Sequence, residues 1–107
     1  MEDVEKGVKI LKSFLPDVVI AIGGGSVIDM GKLINIMAVQ QYRSIETIIT
    51  GEKLIVNKGL PFIAIPTTAG TGSESTHFAV AYISKKKYSV AHSYIVPDYC
   101  IVDPEFV

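Results

Sequence analysis

A chain of 107 residues that is 49% hydrophobic has room for one domain with one modest core, and it is too apolar to be disordered. Its 10 basic and 11 acidic side chains leave a net charge of −1 with no basic stripe, which argues against nucleic acid as a main partner. The longest apolar runs fall far short of the roughly 20 residues that span a bilayer, and Met1 leads into acids rather than a signal peptide. The single cysteine, Cys100, cannot form an internal disulfide, so a reducing, cytoplasmic setting fits best.

Residues 2–15 read as an amphipathic helix. Val4, Val8, Leu11 and Leu15 recur at helical spacing with Ile10 and Phe14 beside them, and Pro16 ends the run. Residues 17–22 (DVVIAI) are almost wholly apolar and β-branched, as expected of a central parallel strand covered on both faces. Gly23, Gly24 and Gly25 break that strand. Ser26 is then placed to cap a second helix over residues 27–39, with Asp29 near its positive end. A short helix over 44–50 with Ser44 as its cap and a loop over 51–60 come next. Residues 62–65 (FIAI) read as a buried strand ended by Pro66, and the small-residue loop 67–73 follows it. The chain then runs extended over 76–83, turns at Lys85-Lys86-Lys87, and returns over 88–91 as a hairpin partner. Residues 99–102 are predicted as a third buried strand, stopped by Asp103-Pro104, with Cys100 as an inert buried thiol. This is an α/β pattern, and right-handed crossovers would put both Gly/Thr-rich loops at the carboxyl edge of one parallel sheet.

Two motifs carry chemistry. In GGGSVIDMGK (residues 23–32) a strand runs through three glycines into a helix. Glycine lets an anion approach the backbone, and the N–H groups at the helix start then point at it. Ser26 adds a hydroxyl donor. A lone triple glycine is equally consistent with a tight strand-to-helix turn. The motif is neither GxGxxG nor a Walker A loop. Lys32, one and a half turns into the helix, reads as a solvated side chain. In PTTAGTGSE (residues 66–74), Thr67, Thr68, Thr71 and Ser73 crowd rotatable donors and acceptors into one loop, suited to ribose, phosphate or a carboxamide. An ordinary polar loop is the plainer alternative, and two such loops on one sheet edge weaken it. His77 and His92 each stand alone on strand-like segments and read as packed or surface histidines.

GGGSVIDMGK, then LPFIAIPTTAGTGSE some forty residues on, then PDYCIVDPE, together resemble the iron-containing (group III) alcohol dehydrogenase family, from about residue 8 to the end. The stretch THFAVAYISKKKYSVAHSYIVPDY is similar to the phosphonoacetaldehyde-reductase branch of that family. The resemblance implies a Rossmann-like parallel sheet flanked by helices, with a β-hairpin, in a dehydroquinate-synthase-like fold truncated relative to the family. Residues 1–107 would be a partial NAD(P)-binding domain, without the C-terminal metal-binding helical domain. The family's glycine loop holds the pyrophosphate, which carries over to Gly24, Gly25 and Ser26, with Asp29 nearby. Its threonine loop lies along the ribose and nicotinamide, which carries over to Thr67, Thr68 and Thr71. The extended segment after it brings in Thr76 and Val80. A lysine before the return strand contacts the ribose, and Lys87 occupies that place; a solvated turn lysine is the other reading.

The implied activity of the intact enzyme is hydride transfer between NAD or NADP and a small alcohol or aldehyde, with Fe2+ or another divalent metal as Lewis acid. The metal ligands, one Asp and three His, would lie past Val107, so the fragment itself would bind no metal, and no catalytic residue falls within it. Asp103 would be a structural part of the closing turn. The chain alone would then be inactive. The alternatives are a catalytically inactive nucleotide-binding fragment, or a structural or interaction remnant that pairs as a homodimer or with a missing complementary segment.

Overall fold

The computed structural model describes residues 2–41, 44–51, 54–67, 72 and 75–102. The elements run α1 (Glu2–Phe14), β1 (Val19–Gly23), α2 (Gly25–Met37), α3 (Ile45–Ile49), β2 (Phe62–Pro66), β3 (Phe78–Ile83), β4 (Lys86–Ala91), a single 3-10 turn (Ser93–Ile95) and β5 (Tyr99–Cys100). No helix among the described residues is long and apolar enough to cross a membrane.

The predicted α/β architecture is present. β1, β2 and β5 form a parallel sheet in that spatial order, with Val19 opposite Phe62 and Gly23 opposite Pro66. β3 and β4 pair antiparallel as a separate ribbon. Helix α2 is the hub. On one side its Ile28 packs on Ala21, Phe62 and Ala64 of the sheet. On the other, Leu33, Ile36 and Met37 meet Val4 and Val8 of α1, Ile45, Ile48 and Ile49 of α3, and Ala79, Ala81 and Val90 of the ribbon. A helix apolar on nearly every side belongs in a core, and α2 sits between two of them.

The loop before β2 is tied to α2 by two side chains that mimic backbone. Asn35 donates to the Leu60 carbonyl at 2.8 Å and accepts from its N–H at 3.0 Å. Gln40 donates to the Ile36 and Asn57 carbonyls and accepts from the N–H groups of Val56 and Asn57. Asp98 does the same for β5, accepting from the Phe62 N–H at 2.8 Å and from Lys58 at 3.2 Å.

Several expectations need correction. The first strand is covered on one face only: Ala21 is buried under α2, while Ile20 and Ile22 point to the opposite face and are about half exposed. Period-two alternation sends neighbouring residues to opposite faces, and among the described residues the helices lie on one of them. The predicted buried strand over 99–102 is a two-residue strand at the edge of the sheet, with Tyr99, Ile101 and Val102 exposed. Cys100 is exposed rather than buried. In α1 the buried stripe is Val4 and Val8, and Ile10, Phe14 and Leu15 stand in solvent. Neither Ser26 nor Ser44 caps a helix through its side chain. Gly24 is the N-cap of α2, and Ser44 serves α3 through its carbonyl, which accepts from Thr47.

The hairpin turn also lies one residue earlier than the lysine run suggests. Ile83 pairs with Lys86, so the loop is Ser84-Lys85, and both residues have positive φ (51° and 67°). Two left-handed residues in a two-residue loop mark a type I′ turn, which favours Asn-Gly. The double substitution Ser84→Asn, Lys85→Gly is therefore expected to stabilise the chain by about 1 kcal/mol, relieving left-handed strain at non-glycine residues. The check is a rise in the thermal unfolding midpoint; an unchanged or lower midpoint would contradict the turn assignment.

Candidate functional site

The glycine-rich and threonine-rich segments begin side by side. Parallel pairing places Gly23 opposite Pro66, and the N–H of Thr67 donates to the Gly23 carbonyl at 2.9 Å. The residue after the first strand, Gly24, has an ordinary extended backbone (φ −79°, ψ −176°), and its carbonyl accepts from both Val27 and Ile28. The N–H groups of Gly25 and Ser26 open α2, where a helix has no internal acceptor for its donors. An anion is the natural partner for them. Gly23 itself permits the tight entry: a Cβ there would lie 2.8 Å from the Cβ of Val27, a β-branched side chain with little freedom to move.

Beside this helix start lies a cleft of about 410 Å3, walled by the start of α1, the first turns of α2 and the hairpin. Four of the sequence-derived candidates line it: Ser26, Asp29, Val80 and Lys87. Ser26 and Lys87 are exposed on its two sides. Lys87 stands on β4 opposite Tyr82, which also lines the cleft, so it belongs to the strand and not to the turn.

The remaining described candidates are not among its lining residues. Gly24 and Gly25 form the helix entry next to it. Thr67 is held against Gly23 at the sheet edge. Thr76 is not among the cleft-lining residues; its carbonyl and Oγ1 accept from Lys32 Nζ at 3.0 and 2.9 Å. Thr68 and Thr71 lie outside the described residues, as do Ser73 and Asp103. Asp29 directs its carboxylate inward: Oδ2 accepts from the Val80 N–H at 3.0 Å, and Oδ1 lies 3.9 Å from Lys32 Nζ.

Lys32 is the residue that sequence reasoning missed. It is 1% exposed, not solvated, and its ammonium also donates to the Phe78 carbonyl at 3.0 Å. The signal was available: Ile28, Lys32 and Ile36 are spaced by four along one helix row, and Ile28 and Ile36 are apolar and buried. Asp3, Met30 and Tyr82 of the cleft wall were also missed, because only the fold brings α1 and the ribbon to α2. His92 is a structural cap, its Nδ1 accepting from the Tyr94 N–H at 3.0 Å, and His77 lies edge-on to Phe78 at 6.0 Å. Among the described residues no three His, Cys, Asp or Glu side chains are grouped to hold a metal.

Comparison with known proteins is consistent across sequence and structure. The sequence profile of the family described as "Iron-containing alcohol dehydrogenase" matches residues 1–104. The chain is 41% identical over 106 residues to long-chain-alcohol dehydrogenase 1 of Geobacillus thermodenitrificans, covering 98% of this chain and 27% of that protein. It is 39% identical over 110 residues to the NADPH-dependent butanol dehydrogenase of Clostridium saccharobutylicum, covering 98% and 28%. Its fold is similar to the crystal structure of sulfoacetaldehyde reductase from Bifidobacterium kashiwanohense in complex with NAD+, with a TM-score of 0.88 and 36% identity over 96% of this chain and 28% of that one. The chain thus spans just over a quarter of the length of each of these relatives.

Proposed function

The chain belongs to the iron-containing alcohol dehydrogenase family, and from that premise we propose that it is the nucleotide-binding portion of a metal-dependent, NAD(P)-dependent alcohol dehydrogenase or aldehyde reductase. The observation that carries the reading is the bond from Thr67 N–H to the Gly23 carbonyl, which brings the two loop motifs together at one sheet edge. In this reading the N–H groups of Gly25 and Ser26 receive the pyrophosphate. Thr67, with Thr68 and Thr71, lies along the ribose and nicotinamide, and Val80 and Lys87 form the opposite wall. Asp29 and Thr76 support these walls through Val80 and Lys32.

The nicotinamide supplies the hydride chemistry, and this chain's share is to bind and orient it. Among the described residues no cluster of His, Cys, Asp or Glu could hold a metal; in this reading the metal is held by the helical domain of the intact enzyme, and residues 1–107 act as a partial NAD(P)-binding domain without dehydrogenase activity of their own. The substrate class is a small alcohol or aldehyde. The relatives' names include both NAD+ and NADPH, so both cofactors belong in the test. The exposed Cys100 suits a reducing, cytoplasmic compartment. A second reading, an inactive fragment that pairs with a copy of itself or with a complementary segment, draws on the exposed Ile20, Ile22 and Tyr99 of the sheet.

The test is calorimetric titration of NAD(H) and NADP(H) into the purified chain and into Gly24→Val. The Gly24 backbone angles suit any residue, so valine places a branched side chain at the helix entry without backbone strain. Wild-type binding weakened about tenfold or more by the substitution supports the reading, since tenfold corresponds to losing about one good hydrogen bond to a charged group. Equal binding by both proteins would move the nucleotide away from the glycine loop, and no binding by wild type would favour the second reading.

A further inference from the structure

Lys32 is the most deeply buried charge described in the chain, and its surroundings say what it holds. Removing an ammonium from water is costly unless oxygen acceptors replace the lost hydration. Among the described residues three acceptors lie within 3.0 Å: the Thr76 carbonyl, the Thr76 hydroxyl and the Phe78 carbonyl. The Asp29 carboxylate follows at 3.9 Å and itself accepts from the Val80 N–H. One turn of α2 therefore grips alternate residues of the segment leading into β3: Thr76, Phe78 and Val80.

This grip has a counterpart. On the near side of the threonine-rich segment Thr67 is bonded to Gly23, and on its far side Thr76 is bonded to Lys32. Both ends are thus fastened to the β1–α2 unit that carries the glycine loop. Val80, fixed through Asp29, lines the cleft, as does Asp29 itself. We propose that Lys32 is a positioning residue: through Thr76 and Phe78, and with Asp29 through Val80, it clamps the hairpin wall and the far end of the threonine-rich segment onto α2, so that the dinucleotide cleft is preformed before ligand arrives. Its consequence for binding rests on the nucleotide-binding reading above; the clamp itself does not.

The test separates the two. Amide hydrogen exchange followed by NMR, without ligand, compares wild type with Lys32→Met, which keeps an unbranched side chain and removes the charge. The expected result is exchange at least about tenfold faster at Val80 and its neighbours in β3, with the Leu33 and Ile36 amides of α2 little changed, because losing a charge-assisted tie opens the ribbon locally. Uniform acceleration of all slow amides, or no change at Val80, would overturn the clamp by making Lys32 a general stability residue or an idle one. If Lys32→Met does not fold, Thr76→Val serves in the same exchange measurement, with about threefold acceleration expected from loss of one of the three acceptors. In the second arm, folded Lys32→Met is titrated with NAD(H) and NADP(H), and about tenfold weaker binding than wild type is expected. Equal affinity in both proteins overturns the positioning role, whereas absence of binding in wild type counts against the nucleotide reading and leaves the clamp to be judged on exchange alone.

Discussion

Gly31→Val is expected to leave the chain unfolded at room temperature, and Gly31→Ala to lower its stability by about 1–3 kcal/mol, the usual range for overpacking a filled core. Gly31 lies mid-helix, where alanine would ordinarily add up to about 1 kcal/mol of stability through helix propensity. The sign reverses because α2 rests directly on the sheet at this point. A Cβ at Gly31 would sit 2.9 Å from the Cβ of Ala21 and 3.0 Å from the edge of the Phe62 ring. The Ala21 methyl is fixed to β1 and cannot rotate away, and Phe62 is a core side chain only 3% exposed. Relief requires α2 to lift off the sheet, which loosens Ile28 and Ala64, both fully buried. Valine brings two further carbons into the same gap. A domain of this size carries only about 5–15 kcal/mol of net stability, and α2 joins both cores, so lifting it affects everything packed on either side. Urea unfolding followed by far-UV circular dichroism checks this. A neutral or stabilising Gly31→Ala would show that helix and sheet are not in close contact there.

How much of this was legible in the sequence depended on whether a residue's environment was local. The elements were largely readable, because Val4 and Val8 repeat at helical spacing, FIAI is short and apolar, and Pro16 ends the α1 segment. The sheet edge carrying both loop motifs was readable too, since a strand followed by small flexible residues fixes which end of the sheet they occupy. What failed was anything set by a distant partner. DVVIAI cannot tell whether both faces of its strand are covered; Ile20 and Ile22 look the same either way. Lys32 read as solvated because its acceptors lie 44 and 46 residues further along the chain. The apolar residues at positions 28 and 36 on its helix row were the only local sign of its burial. Asp29 was expected near the cofactor and does line the cleft, yet its carboxylate is committed to Val80, which no spacing rule could foresee. The lysine run marked the hairpin correctly and set its turn one residue too late, because register is set by cross-strand pairing and not by where charge accumulates.

The nucleotide-binding reading makes its sharpest claim at Lys87. Lys87→Glu is expected to weaken NAD(H) or NADP(H) binding by roughly 10- to 100-fold, and Lys86→Glu to leave it within about twofold. The two substitutions change net charge identically and sit one residue apart, so they differ only in where the charge points. Alternation along β4 turns Lys87 to the side of its partner Tyr82, into the cleft, and turns Lys86 to the other side, 5.5 Å above the Tyr88 ring. A dinucleotide in the cleft carries two phosphate charges. Lys87 faces them across the opening from Ser26, whereas a carboxylate would face them with like charge. Because Lys87 is exposed, salt screens its contribution. The Lys87→Glu defect should therefore shrink as ionic strength rises and the Debye length falls from about 30 Å at 0.01 M toward about 3 Å at 1 M. Calorimetry of both variants at two salt concentrations checks this. Equal losses in the two variants would mean that overall charge governs binding and that the hairpin wall has no specific role. A Lys87→Glu protein that binds like wild type would mean that the ligand does not reach this wall, and that the glycine and threonine loops hold it alone.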